Sequence, residues 1–79
     1  IPLPCKIDAR GEDCEKVEKI IFELGFRWQG GEVPPTGFGP FFFLYKNKRA
    51  TYADKNWFGY FQDHASEEIS FNDILQYDL

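Results

Sequence analysis

The sequence predicts an α+β domain: one amphipathic helix packed on a mostly antiparallel sheet of four or five strands, followed by a short C-terminal helix. Three observations point there. Residues 12–24, EDCEKVEKIIFEL, set Cys14, Val17, Ile20, Ile21 and Leu24 along a single stripe at helical spacing. Residues 41–45, FFFLY, have the aromatic content of a strand and sit between Gly-Pro and a polar turn. The tetrad KNKR then turns the chain at Asn47-Lys48 into Ala50-Thr51-Tyr52-Ala53 as an antiparallel partner. With 79 residues there is material for one core, so residues 1–79 form a single domain.

The elements follow in order. In residues 3–8, Leu3, Cys5 and Ile7 alternate with Pro4, Lys6 and Asp8, the pattern of a half-buried strand. Arg10-Gly11 turns into the helix, whose first turn carries Glu12, Asp13 and Glu15, where the macrodipole favours anions. Gly25 stops it, and Phe26 with Trp28 begins a short second strand. Residues 30–40, GGEVPPTGFGP, are too rich in glycine and proline to be regular and form a long loop. After the hairpin, WFGYF (57–61) reads as a further strand or as an irregular aromatic segment interrupted by Gly59. The stretch EEIS is a short strand or extended entry, and Ser70 with Asp73 three residues on marks a capping-box start for one or two helical turns.

Composition excludes several function classes. The formal net charge is −4, which argues against a nucleic-acid binder held by phosphate neutralisation. No apolar run approaches the roughly 20 residues that span a bilayer, and no signal peptide is recognisable, so a cytoplasmic location is expected. Cys5 and Cys14 are too few for a disulfide scaffold and read as two buried thiols of a reducing compartment, with a disulfide between them as the alternative.

The aromatics carry the functional question. Ten of fifteen fall between Phe38 and Phe61. In a strand, Phe41, Phe43 and Tyr45 face one way while Phe42 and Leu44 face the other, and one 13-residue helix covers only one face. Either the 30–40 loop, WFGYF and the C-terminal helix close the second face, or part of it stays open as a hydrophobic binding patch. The candidate partner-binding residues are Phe38, Phe42, Leu44, Lys48, Arg49, Trp57, Phe58 and Tyr60. Lys46, Lys48, Arg49 and Lys55 beside these rings also match the way nucleotides are held, by cations on phosphate and rings on the base. The plainer reading of the same lysines is a solvated hairpin tip.

Catalytic and metal motifs do not emerge. His64 is the only histidine, with Asp63 beside it as the one arrangement suggestive of general base chemistry. The cysteines lack Cys-x-x-Cys spacing, and neither Gly-Gly-Glu nor Gly-Phe-Gly-Pro matches a phosphate-cradling loop. The expectation is a non-enzymatic protein without metal or cofactor.

Two segments, EKVEKIIFELGFRW from Glu15 to Trp28 and the ending EISFNDIL, resemble small phage-encoded accessory proteins, which share such a helix-to-strand turn and an E-I-[ST]-x-x-[DE]-[IL]-L ending. The resemblance covers about half the chain and leaves out the PPTGFGP insertion. It implies a small protein acting in the cytoplasm of an infected bacterium and carries over no functional residue. The combined expectation is an accessory protein that binds and modulates or inhibits a host protein through an aromatic face and the 30–40 loop. A nucleotide-like ligand is the alternative, and a homodimer is a third use of the same face.

Overall fold

The computed structural model describes residues 3–29 and 39–76. Strand β1 (Cys5–Asp8) leads into helix α1 (Cys14–Glu23) and the two-residue strand β2 (Arg27–Trp28). Strands β3 (Phe41–Leu44) and β4 (Arg49–Ala53) form the predicted hairpin. A 3-10 turn over Lys55–Trp57 runs into helix α2 (Phe58–Asp63), and strand β5 (Glu67–Ile69) and helix α3 (Phe71–Leu75) close the described chain. The sheet order is β2-β4-β3-β1-β5. Its three central strands are antiparallel, whereas β5 joins β1 and β2 joins β4 in parallel.

That order decides which face each helix covers. From β1 the chain crosses through α1 to β2, three places along the sheet; from β4 it crosses through α2 to β5, three places the other way. Both crossovers connect strands of like direction. A right-handed crossover travelling one way passes over one face, and one travelling the opposite way must pass over the other. The core divides accordingly. On one face Cys5, Ile7, Phe42, Leu44 and Ala50 pack with Val17, Ile20 and Ile21 of α1 and Ile74 of α3. On the other, Phe41 and Phe43 pack with Phe61 of α2, flanked by Tyr45 and Ala53.

Local chemistry explains the ends. The Asp13 side chain caps α1 by accepting from the Glu15 and Lys16 N–H groups at 3.1 and 3.4 Å. Past Leu24, Gly25 takes φ +97°, its N–H bonds to the Phe22 carbonyl and the Phe26 N–H reaches the Ile21 carbonyl. This is a Schellman ending, and it turns the chain directly into β2. Ser70 and Asp73 make the reciprocal capping box expected for α3. Between β3 and β4, Lys48 adopts φ +65° and its N–H bonds to the Tyr45 carbonyl, giving a three-residue hairpin loop.

Three expectations change. WFGYF is helical rather than a strand or an irregular segment, because its aromatics fall at helical spacing over the second face: Phe61 stacks on Phe41 at 4.6 Å. Strand β1 is buried on both faces rather than half-buried, and Lys6 is only 6% exposed because α2 lies over it. Phe42 and Leu44 are fully buried under α1, so they belong to the core and not to a partner-binding surface. Among the described residues, no helix is long and apolar enough to cross a membrane.

Candidate functional site

With both sheet faces covered, the large rings that remain most exposed gather at one place. Trp57 is 57% exposed, Tyr60 50% and Tyr52 38%. Together with Ala53 and Asp54 they line a groove of about 390 Å³ at the C-terminal end of β4. That volume lies at the lower end of the range of small-ligand and side-chain pockets.

Each wall has a separate origin. Tyr52 stands opposite Phe42 in the β3–β4 register, hence on the α1 face, and meets Trp28 edge-on with ring centres 5.5 Å apart. Trp57 and Tyr60 stand three residues apart on the helical segment of the opposite face, so their side chains are neighbours. Their ring centres are 6.0 Å apart and their planes nearly perpendicular, at 89°. The Tyr60 ring also rests edge-on against Phe43 at 5.5 Å, which anchors that wall to the core. Asp54 forms the polar end. It is the N-cap of the 3-10 turn, with one carboxylate oxygen accepting from the Asn56 N–H at 2.8 Å.

The other predicted residues lie elsewhere. Phe58 is on a different side of α2, near Phe41, with the Arg10 guanidinium 4.4 Å from its ring centre. Arg10 is itself held by a forked ion pair to Asp8, at 2.7 to 3.1 Å. Burial pulls the Asp8 carboxyl upward, but the hydrogen bonds and charge of Arg10 outweigh it and leave Asp8 below the usual range. Lys48 in the hairpin loop and Arg49 at the start of β4 lie at the end of that strand opposite Trp57. Lys48 bonds the Leu24 carbonyl at the end of α1 and lies 4.7 Å from the centre of the Phe26 ring. Lys55 lines a neighbouring depression with Arg10, Glu12 and Cys14. Lys48 and Arg49 thus stand apart from the exposed rings, whereas Lys55 adjoins the groove through Asp54. Phe38 and the 30–38 part of the predicted loop lie outside the described residues.

Sequence reasoning missed Tyr52 and Asp54. Asp54 had a readable signal, as an Asp ahead of a short helical segment is a cap candidate. Tyr52 had none, because its place depends on which side of the hairpin the crossover lands.

His64 is built into the packing. Its ring lies 4.4 Å from the Phe43 ring centre, Nδ1 is 2.7 Å from the Ser66 hydroxyl and Nε2 is 3.3 Å from the Tyr45 hydroxyl. Burial, followed by the nearby Lys6 charge, pushes its pKa below the usual histidine value. Both cysteines are free thiols. Burial raises Cys5 to about 11, with the Glu67 charge adding to the rise. Cys14 is raised as well, by burial and then by the charges of Glu18 and Asp13. Neither supplies a thiolate at neutral pH.

Comparison with protein-family models, curated proteins and solved structures returns no match for the chain.

Proposed function

We propose that this is a non-enzymatic binding protein that engages a partner protein through the Tyr52–Trp57–Tyr60 groove. One observation carries the reading. After helices cover both faces of the sheet, two large aromatics on one short helical segment stay half-exposed beside a third on the neighbouring strand. Exposed aromatic clusters of this kind are the usual anchors of protein interfaces, since tryptophan and tyrosine bring large contact area with few rotatable bonds. Their backing by Phe43 and Trp28 supports the reading, because an anchor held by the core loses little freedom on binding.

The resemblance of Glu15–Trp28 and EISFNDIL to phage accessory proteins makes a bacterial host protein the first partner to seek. The test is affinity capture from bacterial lysate with immobilised wild type, Trp57→Ala, Tyr60→Ala and, as a control at the far end of β4, Arg49→Ala. The reading expects a protein retained by wild type and Arg49→Ala and lost from both aromatic variants. Identical captured sets for all four proteins contradict it.

A further inference from the structure

We infer that the groove selects a cation, and that its occupant is an arginine or lysine side chain in a basic segment of the partner. This rests on the reading of the groove as the partner site and names the chemistry it recognises. Three features carry it.

The first is the wall geometry. Trp57 and Tyr60 stand nearly perpendicular, and Tyr52 adds a third electron-rich ring around one volume. A cation over an aromatic face is attracted by the ring quadrupole, and several rings around one space can act on it together.

The second is the charge of the lining. Asp54 is the only charged residue among the described residues of the groove; it also borders the adjoining depression, where Lys55 and Arg10 lie, and neither of these cations lines the groove itself. The N-cap bond to Asn56 uses Oδ1 of Asp54. A carboxylate has acceptor capacity beyond one such bond, enough to take a guanidinium or ammonium N–H as well. The net charge of −4 favours approach of a basic segment.

The third is how the protein uses its own cations. Lys6, Arg10, Arg27 and Lys48 each lie over a ring, and every one of those rings is a phenylalanine. Among the described residues no cation lies over Trp57 or Tyr60. Tryptophan is the strongest cation–π partner of the three aromatic types. Trp57 and Tyr60 are therefore left to a cation from outside the described residues.

The experiment titrates the protein with a short capped peptide carrying one arginine, and separately with the same peptide carrying citrulline. Citrulline keeps the shape and hydrogen-bonding plane of arginine but has no charge. Binding is read from the Trp57 indole N–H resonance, assigned with Trp57→Phe. The expected result is a saturable shift with the arginine peptide and at least about fivefold weaker binding of the citrulline peptide, the scale of one cation–π contact. Asp54→Asn keeps an N-cap side chain and should fold normally. It is expected to narrow the difference between the two affinities to what the rings alone supply, whereas Tyr60→Ala, which keeps the Trp57 reporter, is expected to weaken both responses.

Equal binding of the two peptides overturns the cation preference and leaves the aromatic partner site standing. No shift with arginine at the highest soluble peptide concentration also overturns it. Capture of the same host protein by wild type and Trp57→Ala overturns the underlying partner site instead, so the two failures are distinguishable.

Discussion

The Lys6 ammonium donates a 2.6 Å hydrogen bond to the Phe61 carbonyl and lies 4.9 Å from the centre of the same residue's ring. It also donates to the Gln62 and His64 carbonyls at 3.2 and 3.1 Å. The last turn of a helix leaves its carbonyls short of donors, and Lys6 supplies one here, adding to the His64 and Ser66 N–H groups that already bond the Phe61 and His64 carbonyls. One buried lysine from β1 therefore satisfies the end of α2 and fixes that helix on the sheet, and with it the Trp57–Tyr60 wall.

Lys6→Met keeps much of the side-chain volume and removes the donor. The expected cost is about 2 kcal/mol, the scale of the charge-assisted bonds lost. Urea denaturation measures it. Amide hydrogen exchange in residues 58–64 should rise more than in α1, and an unchanged exchange pattern would remove Lys6 from this role.

His64 makes stability depend on pH in a defined window. Its folded pKa lies below the ordinary 6.5, through burial first and the Lys6 charge second. Tyr45, Ser66, Phe43 and Tyr60 also pack against the ring, and Asp63 precedes it in the chain. The unfolded chain thus takes up the proton more readily than the folded one. The contribution is fully present above 6.5 and is lost as pH falls through that value toward the folded pKa. Since His64 is the only histidine, stability should decline on going from pH 7 to 5.5 in wild type and much less in His64→Gln. Parallel curves for the two proteins would contradict the assignment.

Gly39 is a position where glycine is required. Its φ is +119°, and a Cβ there would lie 2.7 Å from Cζ of Phe42, a ring too deeply buried to move aside. Gly39→Ala should cost about 1–3 kcal/mol from strain and overpacking. Thermal unfolding would show it as a lowered midpoint.

Gly59 is the opposite case. It lies within α2 with open space around its Cα, and its backbone does not need a positive φ. Gly59→Ala should stabilise the protein by about 0.5–1 kcal/mol, because alanine loses less backbone freedom in a helix. A loss of stability would mean that this segment is not helical in solution.

The last two cases show where the sequence was readable. The α1 stripe, Glu15 as an acid in its first turn, Gly25 as its stop and the Ser70–Asp73 box are local patterns, and each appears at its place in the structure, whereas Asp13 is the N-cap rather than a first-turn residue. The WFGYF segment was not legible, because Gly59 and a run of aromatics oppose helix by propensity, and tertiary packing against Phe41 and Phe43 overrides them. Lys6 looked like the polar side of a half-buried strand because nothing near it in the chain announces the helix end it would cap. The groove was half legible: Trp57 and Tyr60 belong to it, whereas Phe42, Leu44, Lys48 and Arg49 are drawn into the core or to the far end of β4.

The central claim is that Trp57 stays open at this edge once both sheet faces are closed. The protein has two tryptophans, with Trp28 6% and Trp57 57% exposed, so acrylamide quenching of fluorescence separates them. The account predicts one readily quenched component in wild type that disappears in Trp57→Phe, leaving only shielded Trp28 emission. Wild-type emission that resists quenching as strongly as Trp57→Phe would show the groove closed and contradict the account.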